Sequence, residues 1–392
     1  MDNKTDDNSN INLVYISTSL LTGGAEIVLF QLISILPPNY KINVISLSSI
    51  GDIGERIRNL GIHVHALNLN SSFPNPFQLL KLYRLLKSIK PDIVNTWLYH
   101  ANLLGGVIAR FAGIKNIIWS IHHSDVNSSN TRYKTRFIIK ISSYLSYSIP
   151  SQILFVSHKS MNVHETIGYN HKIFNLIPNG FDTSQFYPVK EAYASVRKEL
   201  GLKNDVILVG LIARFDPIKN HKGFLEAACH LIHLLPNVHF LLVGKDIECS
   251  NKELLTWIEE FGLNDKVHLL GLRNDIPRLT SALDIATLTS WSEAFPTIVG
   301  EAMACSVPCV VTDVGDASYM VGSSGKVIRI GDMKAFAEAC FQLLSLSSIE
   351  RKTIGFSARQ RVNEKFNLNL IILEYDSLYK KSISAIKTKG HI

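Results

Sequence analysis

Two glutamates eight positions apart are the strongest chemical signal in this 392-residue sequence. Glu293 lies in the run Ser-Trp-Ser-Glu-Ala-Phe-Pro-Thr, directly after a predicted strand, and Glu301 lies in the run Gly-Glu-Ala-Met-Ala-Cys. The spacing places Glu301 one to two turns into the helix that is predicted to follow. Carboxylates accept hydrogen bonds from hydroxyl groups, so the pair could hold the hydroxyls of a sugar and a ribose.

The residues between the two glutamates predict an anion site. Pro296 suits the first turn of the helix, because its missing N–H would be unpaired there anyway. The free backbone amides near Phe295, Thr297 and Ile298 would then point at one spot, which the positive end of the helix dipole also favours for an anion. With Ala294 these residues form a predicted cradle for a diphosphate. The alternative is a capped surface helix with an acidic first turn.

Two cations follow another predicted strand, in the run Gly210-Leu-Ile-Ala-Arg-Phe-Asp-Pro-Ile-Lys-Asn. Arg214 and Lys219 would lie at the mouth of a parallel sheet, where ligands bind at the carboxyl ends of the strands. Arginine as a bidentate fork and lysine as a point charge could neutralise a diphosphate leaving group. The alternative is a pair of solvated surface cations.

A glycine pair, Gly23-Gly24, stands between the first predicted strand and the first predicted helix and is followed by Ala25-Glu26. Adjacent glycines let backbone amides approach a phosphate closely. The run is not the Gly-x-Gly-x-x-Gly dinucleotide fingerprint, and a simple tight turn is the alternative.

Two adjacent histidines end another predicted strand, in the run Trp-Ser-Ile-His-His-Ser-Asp. Alternation along the strand would place the two side chains on opposite sides. His122 is the first choice for a functional residue and His123 is the alternative. A purely structural role for either ring stays open.

The segment from Arg132 to Leu145 is basic and amphipathic. Its cations recur every four residues and share one helix face: Arg132, Arg136 and Lys140. Its apolar residues share another face: Phe137, Ile141, Tyr144 and Leu145. The pattern suits a helix that lies on an anionic membrane, and equally an ordinary surface helix with its apolar stripe in the core.

The elements that position these residues alternate between short apolar strands and longer amphipathic segments. Strand-like runs include Leu13–Ile16, Ile42–Leu47, His63–Leu67, Ile93–Thr96, Ile117–Ile121 and Ile153–Val156, and later Val206–Ile212, Val238–Val243, Val267–Leu270, Ile285–Leu288, Cys309–Thr312 and Lys326–Ile328. This rhythm predicts an α/β protein with parallel sheets covered on both faces. It pauses at a turn-rich stretch, so a domain boundary is expected near residues 178–190.

The composition indicates a globular protein with an anionic partner. Apolar residues make up 46% of the chain and the net charge is +7, which favours a nucleotide, a lipid surface or nucleic acid. No nucleic-acid-binding motif supports the last of these. The polar, acidic first ten residues are not expected to be a signal peptide, and no apolar run approaches the about 20 residues of a membrane-spanning helix. The five cysteines form no Cys-x-x-Cys pair, so reduced thiols and no bound metal are expected.

The run from Ser290 to Val311 resembles the Glu–seven residues–Glu motif of glycosyltransferase family 4, whose members are retaining enzymes with the two-domain GT-B fold. The resemblance implies an α/β protein of two Rossmann-like doubly wound domains that face a central cleft. Residues 1–182 would form the acceptor-side domain and residues 183–366 the domain that binds the nucleotide-sugar. Residues 367–392 would form a helix that packs back on the N-terminal domain.

The resemblance also assigns roles. Glu293 would contact the donor sugar and Glu301 the nucleotide ribose. Arg214 and Lys219 would hold the donor diphosphate, and Gly23 and Gly24 would face the donor across the cleft. His122 would approach the donor sugar. The expected donor-binding set further includes Arg273, Ala294, Phe295, Pro296 and Thr297.

Two departures from the family pattern are visible. Ser306 stands where the family often has glycine, and Gly315-Asp316-Ala317 replaces a common glycine pair. Neither removes a charge that catalysis needs. No Asp-x-Asp metal motif is present, and GT-B enzymes use protein cations and helix dipoles instead, so no metal or other cofactor is expected beyond the nucleotide-sugar co-substrate.

The sequence therefore predicts a retaining hexosyltransferase that uses a nucleotide-sugar, with a UDP-sugar favoured, and a glycan acceptor that is lipid-linked. The wording of the motif looks like bacterial enzymes of surface polysaccharide biosynthesis, such as those of lipopolysaccharide or capsule. A cytoplasmic protein is expected, with an anionic membrane surface at the inner face of the cell membrane as a further partner. Two alternatives remain: a nucleotide-sugar epimerase on the same fold, and a non-catalytic nucleotide-sugar binding protein.

Overall fold

The computed structural model describes residues 10–69, 75–124, 126 and 133–389. The chain divides into two compact units: unit 1 comprises Met1–Gly180 with Asn369–Ile392, and unit 2 comprises Phe181–Leu368. The chain thus passes from one unit to the other after Gly180 and returns after Leu368. Each unit has its own parallel sheet, as the alternating pattern predicts.

Unit 1 contains a parallel sheet with the strand order β3-β2-β1-β4-β5-β6-β7. Its strands are β1 (Ile11–Ser17), β2 (Tyr40–Ser46), β3 (His63–Ala66), β4 (Ile93–Trp97), β5 (Ile117–Ile121), β6 (Gln152–Phe155) and β7 (Phe174–Leu176). Its helices are α1 (Gly24–Ile35), α2 (Gly51–Arg58), α3 (Pro76–Ile89), α4 (Gly106–Phe111), α5 (Tyr133–Leu145) and α6 (His158–Ile167). A π-helical turn, Ala101–Gly105, leads into α4.

The core of unit 1 lies on both faces of this sheet, because parallel strands are buried on both sides. In β4 and β5 every residue is buried. One cluster joins the sheet to α1 and α2, and another joins it to α3, α4, α5 and α6. Local signals start the helices: Asn75 caps α3 by accepting a hydrogen bond from the Phe77 N–H, with Pro76 as the first helical residue.

The last helix of the chain, α15 (Leu368–Lys389), packs on the first of these clusters. Buried tyrosines hold it there. The Tyr379 hydroxyl lies 2.9 Å from the Tyr15 hydroxyl and accepts a hydrogen bond from the Asn95 side chain at 2.7 Å. The Tyr40 hydroxyl donates to Asp376 on the same helix at 2.7 Å.

Unit 2 repeats the architecture with the strand order β10-β9-β8-β11-β12-β13. Its strands are β8 (Ile207–Ile212), β9 (Val238–Val243), β10 (Val267–Leu269), β11 (Ile285–Leu288), β12 (Cys309–Thr312) and β13 (Gly325–Ile328). Its helices are α7 (Ala192–Glu199), α8 (His221–Leu234), α9 (Lys252–Glu260), α10 (Ile276–Ser281), α11 (Thr297–Ala304), α12 (Ala317–Val321), α13 (Met333–Leu344) and α14 (Ser348–Lys365). Both units are therefore Rossmann-like, with the strand order reversing beside β1 and beside β8.

None of the helices in the described ranges is long and apolar enough to span a bilayer.

Candidate functional site

The carboxyl edge of the unit 2 sheet brings together the charged residues that the sequence singled out. Strand order reverses between β8 and β11, and ligands of doubly wound sheets bind at such a reversal. Arg214 and Lys219 follow β8, and Glu293 follows β11. The two loops that carry the predicted charges are therefore neighbours at the reversal.

Hydrogen bonds to backbone carbonyls join these two loops. The Trp291 N–H donates to the Ile218 carbonyl at 2.8 Å. The Thr289 hydroxyl donates to the carbonyls of Lys219 and Asn220 at 3.1 and 3.2 Å. These hydrogen bonds hold the two loops together and so fix where Lys219 and Glu293 lie relative to each other.

Lys219 and Glu293 form a direct ion pair. The Lys219 Nζ donates to the Glu293 Oε1 at 2.5 Å, and only 20% and 14% of the two side chains are exposed. The buried hydroxyl of Ser290 donates to the same Oε1 at 2.8 Å. The same carboxylate oxygen thus accepts from two donors, an ammonium and a hydroxyl.

Arg214 is oriented by a carboxylate of its own loop. Its Nε and Nη2 both donate to Asp216 Oδ2, at 3.1 and 2.9 Å, and its side chain is 55% exposed. The other oxygen of Asp216 accepts the Ile218 N–H at 3.0 Å. Burial alone would raise the pKa of Asp216, but these two donors outweigh it and hold that pKa below its usual value. Within the described residues, Asp216 is the only hydrogen-bond partner of the Arg214 guanidinium.

Helix α11 begins one residue later than predicted. Pro296 has a ψ of 104° and precedes the helix as its N-cap, so it is not part of the first turn. Its side chain has no acceptor for the first-turn amides, and among the described residues no hydrogen bond from the Thr297 or Ile298 N–H is present. Ala294 and Phe295 are buried beneath this helix start.

Gly315 explains how the loop before α11 is held. Its φ is +55°, and a Cβ there would collide with the carbonyl oxygens of Glu293 and Ala294. The next residue, Asp316, donates its N–H to the Ala294 carbonyl at 3.0 Å. The glycine that this close approach requires is therefore present.

Ser306, the other departure, follows α11 with a φ of +59°. Glycine adopts this left-handed conformation without strain, whereas serine does not. The substitution is therefore a strained helix end that lies outside the charged site.

Glu301 occupies the second turn of α11 in a half-buried position. Burial raises the pKa of its carboxyl to about 7. A carboxyl held near its titration point becomes a better acceptor when a ligand supplies hydroxyl donors, because these favour the charged form.

Glu301→Gln is expected to stabilise the free protein at pH 8 but not at pH 5. A raised pKa means that the folded state holds its proton longer than the unfolded state, so stability falls as pH rises from about 4.5 to about 7. Glutamine removes this loss, which is worth about 1–3 kcal/mol at pH 8. Thermal unfolding at both pH values measures it, with Glu226→Gln on the exposed face of α8 as control. An equal change at both pH values would show that Glu301 is not desolvated.

His122 lies directly after β5 and is buried. Its ring lies 4.1 Å, centroid to centroid, from that of Trp97. Burial lowers its pKa to about 3, and His123 adds to the effect, so the ring is neutral near pH 7. Its Nε2 has no hydrogen-bond partner within the described part of the chain. His123 instead stacks on Tyr99.

The two glycines of the Gly23-Gly24 pair have different surroundings. Gly23 caps α1 in an extended conformation, and a Cβ there would collide with the carboxylate of Glu26, which folds back over it. Nothing lies within 4 Å of a Cβ at Gly24. Only Gly24 thus leaves open space at the start of α1.

Arg273 is engaged within unit 2. Its Nε and Nη2 form a bidentate pair with Asp275 at 2.9 Å each, and its Nη1 donates to Glu199 at 2.7 Å. Arg278 bonds the same two carboxylates. These ion pairs account for Arg273 without a ligand, and its role in donor binding stays a prediction.

The basic segment of unit 1 forms α5, but its faces differ from the predicted ones. Arg132 lies outside the described residues, and Arg136 is half-buried beside the Tyr133 ring. Lys140 is exposed on the same face as Phe137 and Tyr144, which are 66% and 72% exposed. Two of the four apolar residues therefore face solvent with the lysine, because Ile139, Ser142 and Ser143 fill the buried face instead.

Two site residues, Ser290 and Asp216, were missed by sequence reasoning. Each lies within three residues of a predicted charge, but neither its type nor its spacing indicates that its side chain bonds that charge. The contact becomes visible only once the loop geometry is known.

Comparison with known proteins adds the identity of the fold. The family described as Glycosyltransferase Family 4 matches residues 22–185, and the family described as Glycosyl transferases group 1 matches residues 203–346. In solved structures, HepE of Anabaena in complex with UDP has a TM-score of 0.84 at 22% identity, covering 95% of this chain and all of that one. That structure has the same two-unit GT-B fold.

Two curated relatives align along most of this chain. The UDP-Gal:alpha-D-GlcNAc-diphosphoundecaprenol alpha-1,3-galactosyltransferase of Escherichia coli is 28% identical over 91% of this chain and 96% of that enzyme. The N,N'-diacetylbacillosaminyl-diphospho-undecaprenol alpha-1,3-N-acetylgalactosaminyltransferase of Campylobacter jejuni is 26% identical over 85% of this chain and 89% of that enzyme. Both names describe sugar transfer to a lipid-linked acceptor.

Proposed function

The chain belongs to the family 4 glycosyltransferases of the GT-B fold, and from this premise we propose that it transfers a hexose from UDP-hexose to a lipid-linked glycan during bacterial polysaccharide biosynthesis. The observation that carries the proposal is the group formed by Lys219, Glu293 and Ser290 beside the start of α11. The group brings a cation and a carboxylate to the strand reversal of unit 2, next to the first amides of α11.

In the proposed donor complex the diphosphate lies against the first amides of α11, Arg214 and Lys219. Glu301 accepts hydrogen bonds from the ribose hydroxyls. Lys219 exchanges its carboxylate partner for a phosphate oxygen, and Glu293, still held by Ser290, accepts from a sugar hydroxyl. The ion pair of the free protein thus keeps both groups in place before the donor arrives.

In the proposed reaction the bond between the anomeric carbon and the diphosphate oxygen breaks first. Charge grows on the diphosphate while the sugar becomes oxocarbenium-like, and the two cations and the helix amides stabilise the departing group. The acceptor hydroxyl then attacks from the face that the diphosphate leaves and passes its proton to a diphosphate oxygen. The anomeric configuration is retained.

A ligand screen tests the donor. UDP and a panel of UDP-hexoses should raise the melting temperature, because a ligand that binds the folded state stabilises it. UDP release that requires both UDP-hexose and a polyprenyl-diphosphate acceptor supports the transferase. Conversion of the donor without acceptor supports an epimerase instead, and binding without any turnover supports a binding protein.

We propose further that the diphosphate is neutralised by side-chain cations and helix amides with no required metal. In the described ranges of the chain, no three His, Cys, Asp or Glu side chains come together as a metal site. On this proposal, addition of EDTA leaves the rate of transfer unchanged. Strict dependence of that rate on an added divalent ion would contradict the proposal.

We also propose that α5 docks unit 1 on an anionic membrane, where lipid-linked acceptors reside. The supporting observation is its exposed face, on which Phe137 and Tyr144 flank Lys140. Aromatic rings beside a cation suit the boundary between headgroups and acyl chains. Helix α5 contains no acidic residue that would be repelled there.

Replacing Phe137 and Tyr144 with serine and Lys140 with glutamine is expected to weaken binding to anionic vesicles by at least about tenfold, since each basic residue near the surface contributes about 1 kcal/mol and the rings add apolar contact. Co-sedimentation with vesicles measures the loss. The control replaces Lys352 and Phe356, an exposed cation and ring on α14 of unit 2. Equal binding by both variants would exclude α5 as the docking surface.

A further inference from the structure

A cavity of about 460 Å³ opens in unit 1 at the amino ends of β4 and β5. Its walls are the C-terminal end of α3 with the residues that follow, and the turn between α4 and β5. The candidate catalytic side chains follow the carboxyl ends of strands, so this cavity lies at the opposite edge of the sheet from the His122 loop. No role has been assigned to it so far.

Three lysines line the cavity: Lys87, Lys90 and Lys115. All three are exposed, and none has an ion-pair partner among residues 10–69, 75–124 and 133–389. The one carboxylate in the lining, Asp92, already accepts the backbone N–H of Asn12 at 2.8 Å. The cavity therefore carries a net positive charge that the fold itself does not neutralise.

Two residues that line the cavity have left-handed backbone conformations. Gly113 has a φ of +83°, and the Lys87 ammonium lies 4.0 Å from the position that a Cβ on Gly113 would take. Lys90 ends α3 with a φ of +50°, a left-handed cap position at which glycine is favoured. A lysine at this position is strained, so helix capping does not explain its side chain.

The surroundings of the cavity suit a lipid surface. Helices α3, α4, α5 and α6 pack on one core cluster and so cover the same face of the sheet, and Glu165 of α6 is the one acidic residue in the four helices. Phe111, at the end of α4 beside the cavity, is 74% exposed. The Lys87 ammonium lies over the Tyr83 ring, 5.9 Å from its centroid, but has no carboxylate partner in the described ranges. An exposed ring next to such cations is the arrangement expected at a bilayer interface.

We propose that this cavity binds the phosphate of an anionic lipid headgroup while Phe111 enters the acyl boundary. Three ammonium groups around one opening complement a phosphate diester by charge. The inference rests on the proposed membrane docking of unit 1, but it concerns a separate set of residues from α5 and from the donor site.

A competing explanation is structural. The C-terminal ends of α3 and α4 carry partial negative charge, which nearby lysines stabilise. Under that explanation, loss of Lys87 or Lys115 lowers the melting temperature and leaves lipid binding unchanged. Under ours, loss of either lysine weakens lipid binding and does not lower the melting temperature.

The test is co-sedimentation of the full chain with vesicles of phosphatidylglycerol and phosphatidylcholine. The variant Lys87→Gln, Lys90→Gly, Lys115→Gln should bind on the order of 10²-fold more weakly, about fivefold for each lysine. The control variant has the same change in net charge on exposed lysines of unit 2, Lys198, Lys252 and Lys352 to Gln, and should bind like the wild type. Equal binding by the cavity variant and the control would overturn the proposal.

The single variant Lys90→Gly separates the effect on vesicle binding from the effect on the melting temperature. It should raise the melting temperature, because the left-handed strain is relieved, and still reduce vesicle binding about fivefold. Soluble glycerol 3-phosphate at millimolar concentration should leave the melting temperature of the wild type unchanged. Stabilisation by it, without vesicle binding, would indicate a soluble phosphate ligand and refute the lipid. The stabilisation produced by UDP should be the same in every variant, so a failure here is distinct from a failure of the proposed transferase.

Discussion

Glu293→Ala is expected to lower turnover by on the order of 10³ while leaving the affinity for free UDP unchanged or higher. The proposed partner of Glu293 is the donor sugar, which UDP lacks. In the free protein its Oε1 also holds the Lys219 ammonium at 2.5 Å, so its removal frees that cation for the diphosphate. Steady-state rates and calorimetric titration with UDP give the two quantities.

Glu301→Ala is the comparison variant. It should lower the affinity for both UDP and the UDP-hexose donor, because both lose the ribose contact. Equal losses of UDP affinity in the Glu293 and Glu301 variants would refute the division of labour between the two carboxylates. A Glu293 variant with normal turnover would refute the assignment of the sugar site itself.

Lys219→Ala is expected to lower turnover by on the order of 10²–10³, the usual scale for losing one preorganised charge stabiliser. It should also lower the affinity for UDP, because the diphosphate loses a cation that binds it. The matched control is Lys222→Ala, a nearby exposed lysine that lies over the Trp257 ring and should leave both quantities unchanged. If the Lys219 variant lost UDP affinity but kept full turnover, the lysine would bind the ground state and not the departing diphosphate.

Arg214→Ala should resemble the Lys219 variant in turnover. The Arg214 side chain is paired with Asp216 and not with Glu293, so the two variants should differ in their effect on the sugar site. Loss of Lys219 leaves the Glu293 carboxylate with Ser290, whereas loss of Arg214 leaves the Glu293 ion pair intact.

The parallel strands were the most predictable part of the fold. Ile117–Ile121, Val238–Val243 and Ile285–Leu288 have the predicted bounds, because strands buried on both faces are continuous apolar runs. The three-residue strand Phe174–Leu176, at the edge of the unit 1 sheet, was not predicted, whereas the equally short edge strand Val267–Leu269 falls within a predicted run.

The sequence predicted at which edge of the sheet the loops of the site lie, but not which side chains in them contact each other. Residue types and strand ends were sufficient to bring Arg214, Lys219 and Glu293 to one edge of a sheet. The ion pair between Lys219 and Glu293 joins residues 74 positions apart, and no local pattern encodes it. The raised pKa of Glu301 likewise depends on burial that only the packed helix provides.

Helix α5 shows a second limit of prediction from sequence, namely which face of a helix is buried. Helical spacing placed Phe137 and Tyr144 on an apolar stripe, and a stripe of this kind usually faces the core. In the structure small residues, Ser142 and Ser143, fill the buried side, so the rings face solvent. Helical spacing determines which side chains share a face of the helix, but the neighbouring elements determine which face is buried.

The most direct test of the central claim is product analysis by mass spectrometry. The protein is incubated with UDP-hexose and a polyprenyl-diphosphate-linked N-acetylhexosamine, and the acceptor and the nucleotide are both measured. The account predicts that the acceptor gains the mass of one hexose and that UDP appears in equal amount, with neither change in the Glu293→Ala variant. An acceptor of unchanged mass would contradict it.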